Sequence, residues 1–444
     1  MSIEHWMVFG TFAEQRHFEY PRKNVYSGVI INANMAAHAP GGLAAFLIER
    51  TAGMKYLIDP LTHAFQHDRD AVLNKDGEPK SSIKSLAESY GEPVASRVGS
   101  KPLNPGHFRD RGLLRQFVKR CLHFQRAQLS SHMESSKAAK YLDGDQEFAP
   151  YAVVAPYFYV TESTIDDWLP INTASAQLAC EIAGGESSNC FASVVIGQGI
   201  LTNPSARAEL VAAYQDISLD GFLLWVDGLD ERQASSAELL GLLELAKGLR
   251  GPELRDVLNL HGGYFSVLAA GALGGEALTG VAHGPEFGEY REVVPVGGGI
   301  PIARYYVPDL HSRVRYREAV RVFTAAGWLE SAEVFYTNVC NCNECRQVVG
   351  NDPSNFKLFG TGTVKSVRRR HGLARIEFPT MDTRIRCLRH YLQRKYREYA
   401  AADGAEPDAL LENLDNGIKK FEGVAGLEGV AHLRLWKKVF CGSS

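Results

Sequence analysis

Continuously apolar runs of four to seven residues recur along the chain, each closing on glycine or a polar residue. They are Gly28–Asn32, Lys55–Asp59, Ala152–Tyr157, Ala192–Gly197, Gly221–Asp227, Asp256–His261 and Leu278–His283. Runs without polar alternation are the mark of strands covered on both faces, as in parallel sheets. The stretches between them, such as Ser235–Leu249 and Tyr316–Leu329, carry helical periodicity. An eighth run, Glu333–Asn338, leads directly into a group of cysteines. Seven or eight β-α units predict an α/β fold, a TIM-type (β/α)8 barrel rather than a doubly wound sheet. In such a barrel, polar residues at the C-terminal ends of the strands face the active site. Asn32, Asp59, Gln198, Asp227, His261 and His283 occupy that place in the pattern.

Two regions break the alternation. Residues 68–106, rich in Lys, Ser, Gly and Pro, read as a long surface loop or lid. Phe108–Ser135 reads as an inserted helix with a basic outer face, so that 68–145 together form an insertion. The glycines of Pro295–Pro301 could let backbone approach a ligand or form a simple turn. The expected division is a barrel over 1–338 and a zinc-binding, nucleic-acid-binding subdomain over 339–444.

Composition narrows the class. The 444 residues are 45% hydrophobic, enough for a large domain with an appendage. No apolar run is long enough to span a bilayer, and the start, Met1–Trp6, lacks the features of a signal peptide. Eight cysteines in such a chain read as reduced thiols and metal ligands, and the expected compartment is cytoplasmic. The net charge of −3 conceals a basic stretch from Lys365 to Arg397, with eleven Lys or Arg against Glu377 and Asp382. That imbalance suits a phosphate backbone better than a merely solvated face. Nothing in the sequence excludes a homo-oligomer.

Cys340, Cys342 and Cys345 form a Cys-x-Cys-x2-Cys cluster, three thiols within six residues of polar sequence. Such spacing aims several sulfurs at one soft cation, and structural, tetrahedral Zn2+ suits it best. The fourth ligand is left among His371, Cys387 and His390.

Asp59, in Ile58-Asp59-Pro60, is a strand-end carboxylate that could act as acid or base or cap the next helix. Asp227 supplies a second, with Gly228 beside it leaving room for a ligand. Two carboxylates suit displacement at a sugar carbon, one attacking and the other handling the leaving group's proton. His261 and His283, each followed by glycine, could position substrate. Tyr157, Phe158 and Tyr159 could stack on a planar base or pack in the core. His63 and His67 could bind metal if they share a helix face.

These residues resemble the tRNA-guanine transglycosylase family, which combines a TIM barrel with a late zinc subdomain bearing Cys-x-Cys-x2-Cys and a downstream histidine. The resemblance implies zinc ligation by Cys340, Cys342 and Cys345. Its spacing of twenty-five residues after the third cysteine points to His371, while the family's helical context looks like that around His390; the spacing is preferred. It also implies base contact and acid/base work by Asp59, base reading by Gln198, and a base-binding strand at Gly221–Glu231. The family's nucleophilic aspartate, expected near Leu278–Val281, is absent, as is the base-binding aspartate near Tyr157. Asp227 is the best replacement nucleophile. That departure resembles the branch that inserts 7-deazaguanines into DNA. The implied reaction exchanges guanine in a nucleic acid, DNA ahead of tRNA, for a 7-deazaguanine such as preQ0. Competing expectations are a non-catalytic zinc-containing nucleic-acid-binding partner and a metal-dependent barrel hydrolase using His63, His67, His261 and His283.

Overall fold

The computed structural model describes residues 2–10, 26–51, 54–67, 72–134, 148–186, 188–275, 277–285, 288–294, 302–369, 372–424 and 429–442. The chain forms two compact units, Met1–Pro295 and Val296–Ser444. The division thus falls earlier than 338, because two strands and two helices preceding the cysteines belong to the second unit. The triple glycine at 297–299 lies outside the described residues.

The first unit is built on eight parallel strands: β1 Glu4–Phe9, β2 Gly28–Asn32, β3 Lys55–Asp59, β4 Val153–Val154, β5 Cys190–Ile196, β6 Gly221–Val226, β7 Asp256–Asn259 and β8 Gly280–His283. Their order is β3-β2-β1-β8-β7-β6-β5-β4, so the sheet curls until β3 and β4 stand at its two edges. It is an α/β barrel, with helices following most strands. Alternate residues fill its interior, among them Trp6, Ile30, Leu57, Phe191, Trp225 and Leu258. Among the described residues no helix is long and apolar enough to cross a membrane.

Three elements differ from the sequence pattern. The chain's first strand, β1, starts at Glu4, where His5 and Trp6 disguise an apolar run. Conversely, Glu333–Asn338 lies in a helix, Ala332–Asn338, whose start is capped by Ser331 Oγ accepting from Val334 N at 3.2 Å. A short apolar run fits either state, and the cap decides it. The expected loop at 68–106 also contains a helix, Ser81–Tyr90, burying Ile83, Leu86, Ala87 and Tyr90. Its lysines and serines mask that i, i+3, i+4, i+7 face, and Tyr90 Oη donates to Pro60 O at 2.8 Å.

The seam between β3 and β4 closes without a regular ladder. Tyr151 N donates to Tyr56 O at 2.8 Å. β4 is only two residues long, and Pro156 just beyond it has no N–H to continue pairing. The helix Arg111–Glu134 compensates: Gln125 Nε2 donates to Val154 O at 2.8 Å, and Val154 N donates to Gln125 Oε1 at 2.7 Å. One amide side chain thus makes both bonds that a neighbouring strand would make. The same helix buries Leu114, Phe117, Val118, Cys121 and Leu122 and exposes Arg111, Arg115, Lys119 and Arg120.

In the second unit, β9 Arg304–Val307 pairs antiparallel with β10 Ser312–Arg315, and β11 Gly362–Arg369 with β12 Gly372–Pro379. Helices Tyr316–Ala325, Ala332–Asn338, Asn343–Val349, Met381–Ala402, Pro407–Phe421 and Ala431–Gly442 complete it. Its core is aromatic: Phe323, Phe356, Phe359 and His390 all surround Tyr305. A buried ionic group braces the long helix. Glu398 accepts from Tyr306 Oη at 2.6 Å and meets His311 Nδ1 at 2.8 Å and Lys395 Nζ at 3.3 Å.

The seam makes a direct expectation. Gln125→Leu should leave Val154 N and O buried without partners and destabilise the protein by about 2–6 kcal/mol, roughly 1–3 for each orphaned group, as read by chemical denaturation. Gln125→Glu should destabilise as well, since its carboxylate can accept from Val154 N but sets a buried negative oxygen against Val154 O. Equal stability of Gln125→Leu and wild type would show that the helix does not seal the barrel.

Candidate functional site

The cysteine cluster takes its shape from a helix start. Cys342 is the N-cap of Asn343–Val349, and its sulfur accepts from Cys345 N at 3.4 Å. Cys340 Sγ accepts from Cys342 N, also at 3.4 Å. These amides stabilise negative sulfur and turn the thiols to one side. Facing them, His390 on the helix Met381–Ala402 presents Nδ1 at 3.3 Å from Cys342 Sγ, 3.3 Å from Cys345 Sγ and 3.8 Å from Cys340 Sγ. A tetrahedral ion with sulfur bonds of about 2.3 Å and a nitrogen bond of about 2.0 Å sets an S···N edge of about 3.5 Å, so the four donors match one coordination shell. All four are buried, with ligand atoms within 4.8 Å of one another, and they could bind a metal ion.

Surrounding groups prepare this arrangement. His390 Nε2 lies 2.7 Å from Tyr306 O; a carbonyl only accepts, so Nε2 carries the proton and Nδ1 keeps its lone pair for a metal. Tyr305 stacks on the imidazole at 4.2 Å, and its hydroxyl reaches Cys345 Sγ at 3.1 Å. Without an ion, burial pulls the His390 pKa down, but the Cys340 and Cys342 thiolates overrule it and hold it up at about 10. The thiolates thus favour positive charge at the centre of the group, as a metal ion would supply.

His390 accordingly holds the fourth position that spacing assigned to His371. His371 lies outside the described residues. The forty-four residues between Cys345 and His390 include the β11–β12 hairpin, and removing a hairpin from the count changes no distance in space. Helical context was the better signal. Cys387, the other rival, is buried elsewhere and donates to Phe359 O at 3.3 Å.

At the barrel mouth, Asp59 ends β3 with a carboxylate facing inward, two residues beyond core Leu57. Oδ1 accepts from Tyr157 Oη at 2.7 Å and from Leu61 N at 3.1 Å. Burial raises its pKa, against the lowering effect of Tyr157, Leu61 and Arg291. Tyr157 gives its single proton to Asp59, so at 3.0 Å it accepts from His63 Nδ1. Burial, then the charges of His67 and Arg291, keeps His63 neutral with its pKa well below the usual value. Trp225 of β6 stands edge-on to His63 at 5.2 Å and to His261 at 4.9 Å. His261 is buried and pushed down to about 3 by burial and then by Arg291. Among the described residues its Nδ1 has no hydrogen-bond partner.

Asp227, half-buried just past β6, is held at both oxygens. Val293 N donates to Oδ1 at 2.7 Å and Tyr159 Oη to Oδ2 at 2.9 Å. Gln198 reaches the same turn, its Nε2 donating to Asp227 O at 2.8 Å. Gly228 follows at φ +63°, a left-handed conformation that favours glycine, and its N–H donates to Arg291 O at 2.9 Å.

His283 lies apart from this group. Its neighbour Ala282 belongs to the barrel interior, so His283 points outward, where its Nε2 meets His5 Nε2 at 2.8 Å. Strand alternation, rather than position at a strand end, decides which way a residue looks. His63 and His67 sit on a 3-10 turn, Thr62–Gln66 and the residue after it, with ring centroids 5.6 Å apart. Among the described residues, the cysteine cluster is the group that could hold a metal, which leaves a barrel metal for hydrolysis without a ligand set there.

Arg291 and Glu231 were not singled out from sequence, and Tyr159 was read there as a stacking residue rather than a carboxylate partner. Tyr159 and Arg291 touch the mouth from irregular segments that no periodicity marks. Glu231 is fully buried, and burial raises its pKa to about 7. It accepts from Ser266 Oγ at 2.5 Å and Ser266 N at 3.2 Å, anchoring the helix that follows His261. Its place in Asp227-Gly228-Leu229-Asp230-Glu231 was the available signal.

No protein-family model matches this chain, and none of the curated proteins matches it.

The fourth ligand is directly testable. Purified wild type should carry one equivalent of metal by elemental analysis; His390→Ala should lose most of it and unfold at lower temperature. His371→Ala should keep both metal and melting temperature. The opposite pattern would return the site to His371.

Proposed function

We propose that this protein is a base-exchange transglycosylase, a pentosyltransferase that replaces guanine in DNA with a 7-deazaguanine such as preQ0. The observation that carries the reading is the pair of inward strand-end carboxylates, Asp59 fully buried and Asp227 half-buried, each oriented by a tyrosine hydroxyl. Two carboxyl groups in unlike settings suit unlike tasks.

Asp227 attacks C1′ of the target nucleotide, the C1′–N9 bond breaks, and guanine takes a proton from Asp59. The incoming 7-deazaguanine then attacks C1′ through its own ring nitrogen, returns its proton to Asp59 and releases Asp227. Burial suits Asp59 to carry that proton, because it favours the neutral carboxyl. Val293 N and Tyr159 Oη fix the Asp227 oxygens for attack. Neutral His261, whose Nδ1 has no hydrogen-bond partner among the described residues, suits a planar base with polar edges. The target base must leave its stack to reach such a site. Zinc is the ion best suited to Cys340, Cys342, Cys345 and His390; with all four positions filled by protein, its part is to brace the second unit. Resemblance to tRNA-guanine transglycosylases keeps tRNA as the alternative polymer.

The occupied oxygens of Asp227 favour one other reading, a DNA-binding relative in which that carboxylate is purely structural. Labelled preQ0 supplied with duplex DNA and, separately, with tRNA decides between them. Incorporation into DNA that disappears in Asp59→Asn and Asp227→Ala is expected; no incorporation into either polymer by fully metallated protein would overturn the proposal.

The Tyr157 hydrogen bond stabilises the Asp59 carboxylate. Tyr157→Phe should therefore raise the Asp59 pKa further and move the limb of the exchange pH profile that reports this group to higher pH, by about one unit for a bond worth about 1–2 kcal/mol. An unmoved profile would remove Asp59 from the proton transfer.

A further inference from the structure

We infer that the β11–β12 hairpin is a DNA-binding ribbon that enters the major groove of a B-form duplex. The inference takes from the base-exchange reading only that the partner is a nucleic acid. The two strands form a sheet of their own, fully paired from Gly362↔Pro379 to Arg369↔Gly372. Neither face is covered as a core strand would be: Val364 is 53% exposed and Leu373 77%. Two-stranded hairpins are barely stable alone in water, and an apolar residue as open as Leu373 at the end of one invites a partner.

Charge identifies the partner's chemistry. The strands carry Lys365, Arg368, Arg369 and Arg375 against one carboxylate, Glu377, which Arg317 already pairs. Cross-strand partners share a face and faces alternate, so Lys365, opposite Ile376, lies on one face, where it sits over the Phe378 ring at 5.8 Å. Arg375 and Arg368, opposite Ser366 and Leu373, lie on the other. A ribbon between two phosphate backbones needs cations on both faces. Beside the second face runs a groove of about 820 Å³ in which Arg315, Arg317 and Arg375 outnumber Glu318 and Glu377.

Groove shape selects the polymer. The B-form major groove, about 12 Å wide, admits a two-stranded β-ribbon, whereas the A-form major groove is deep and narrow. The remaining cations of the Lys365–Arg397 stretch act differently. Lys395 is buried against Glu398, and Arg397 donates to Asn341 at 2.7 Å. Arg386 donates to Leu358 O at 3.4 Å, whereas Lys365, Arg368 and Arg375 of the ribbon are exposed.

Full-length protein carrying Lys365→Ala, Arg368→Ala and Arg375→Ala together tests this against fluorescent duplex DNA and duplex RNA of equal length. Anisotropy titrations would run from about 50 to 200 mM salt. The variant should bind DNA at least about tenfold more weakly, and its salt slope should flatten by about 2–3, near 0.9 per lost phosphate contact. The wild-type preference for DNA over RNA should shrink with it. Unchanged metal content and melting temperature would show that the fold is intact; Ser366→Asp, which adds opposing charge without removing a side chain, should weaken DNA binding in the same direction. Wild-type DNA affinity in both variants would overturn the inference, as would equal losses on DNA and RNA or equal competition by polyglutamate. Intact DNA binding without base exchange would instead remove the catalytic reading and leave the ribbon standing.

Discussion

The first unit depends on how its barrel closes between β3 and β4. A two-residue β4 cannot zip the seam by backbone pairing, so side chains do it. Gln125 stands in for a strand at Val154, and Thr62 Oγ1 exchanges hydrogen bonds with both the N–H and carbonyl of Tyr157, at 2.8 and 2.5 Å. The same Tyr157 then hands its hydroxyl proton to Asp59. Closure and the candidate chemistry therefore share residues, and the carboxylate is oriented by the contacts that seal the barrel.

The second unit is organised in the same manner around a few fixed atoms. His390 can point its Nδ1 at three sulfurs because Tyr306 O takes the proton of Nε2 and Tyr305 covers the ring. Those tyrosines lie on β9, ahead of the cysteines in the chain, which is why the compact division falls at Pro295–Val296 rather than just before Cys340. Nearby, burial alone would raise the Glu398 pKa, yet Lys395 and His311 bring it down to about 2. The carboxylate thus supports folding throughout neutral pH, and its contribution is lost only as pH falls from about 4.5 toward 2. An isolated buried charge would cost several kcal/mol; this one is offset by Tyr306, His311 and Lys395.

Much of the architecture was legible as pattern. Seven apolar runs correspond to strands of the barrel, since burial on both faces demands uniformly apolar sequence. β1 was hidden by His5, which faces outward toward His283. Glu333–Asn338 was misleading because a six-residue apolar run satisfies helix and strand alike, and the hydroxyl of Ser331 tips the balance. The three cysteines needed no fold to be recognised, for their spacing confines them to one turn. Their histidine could not be found by counting, because a hairpin inserted between ligands lengthens the chain without moving its ends.

What the sequence determined by itself was therefore local: which segments are uniformly apolar, where thiols crowd together, and which strand ends carry Asp59 and Asp227. These follow from neighbours along the chain. Only the tertiary structure decided that His283 looks away from the barrel while His63 looks in, that His390 completes the cysteine cluster, and that Lys395 is buried while Lys365, Arg368 and Arg375 are exposed. Each of those depends on which elements meet in space. That is set by strand alternation, closure of the sheet and packing of distant segments, none of which is encoded at a single position.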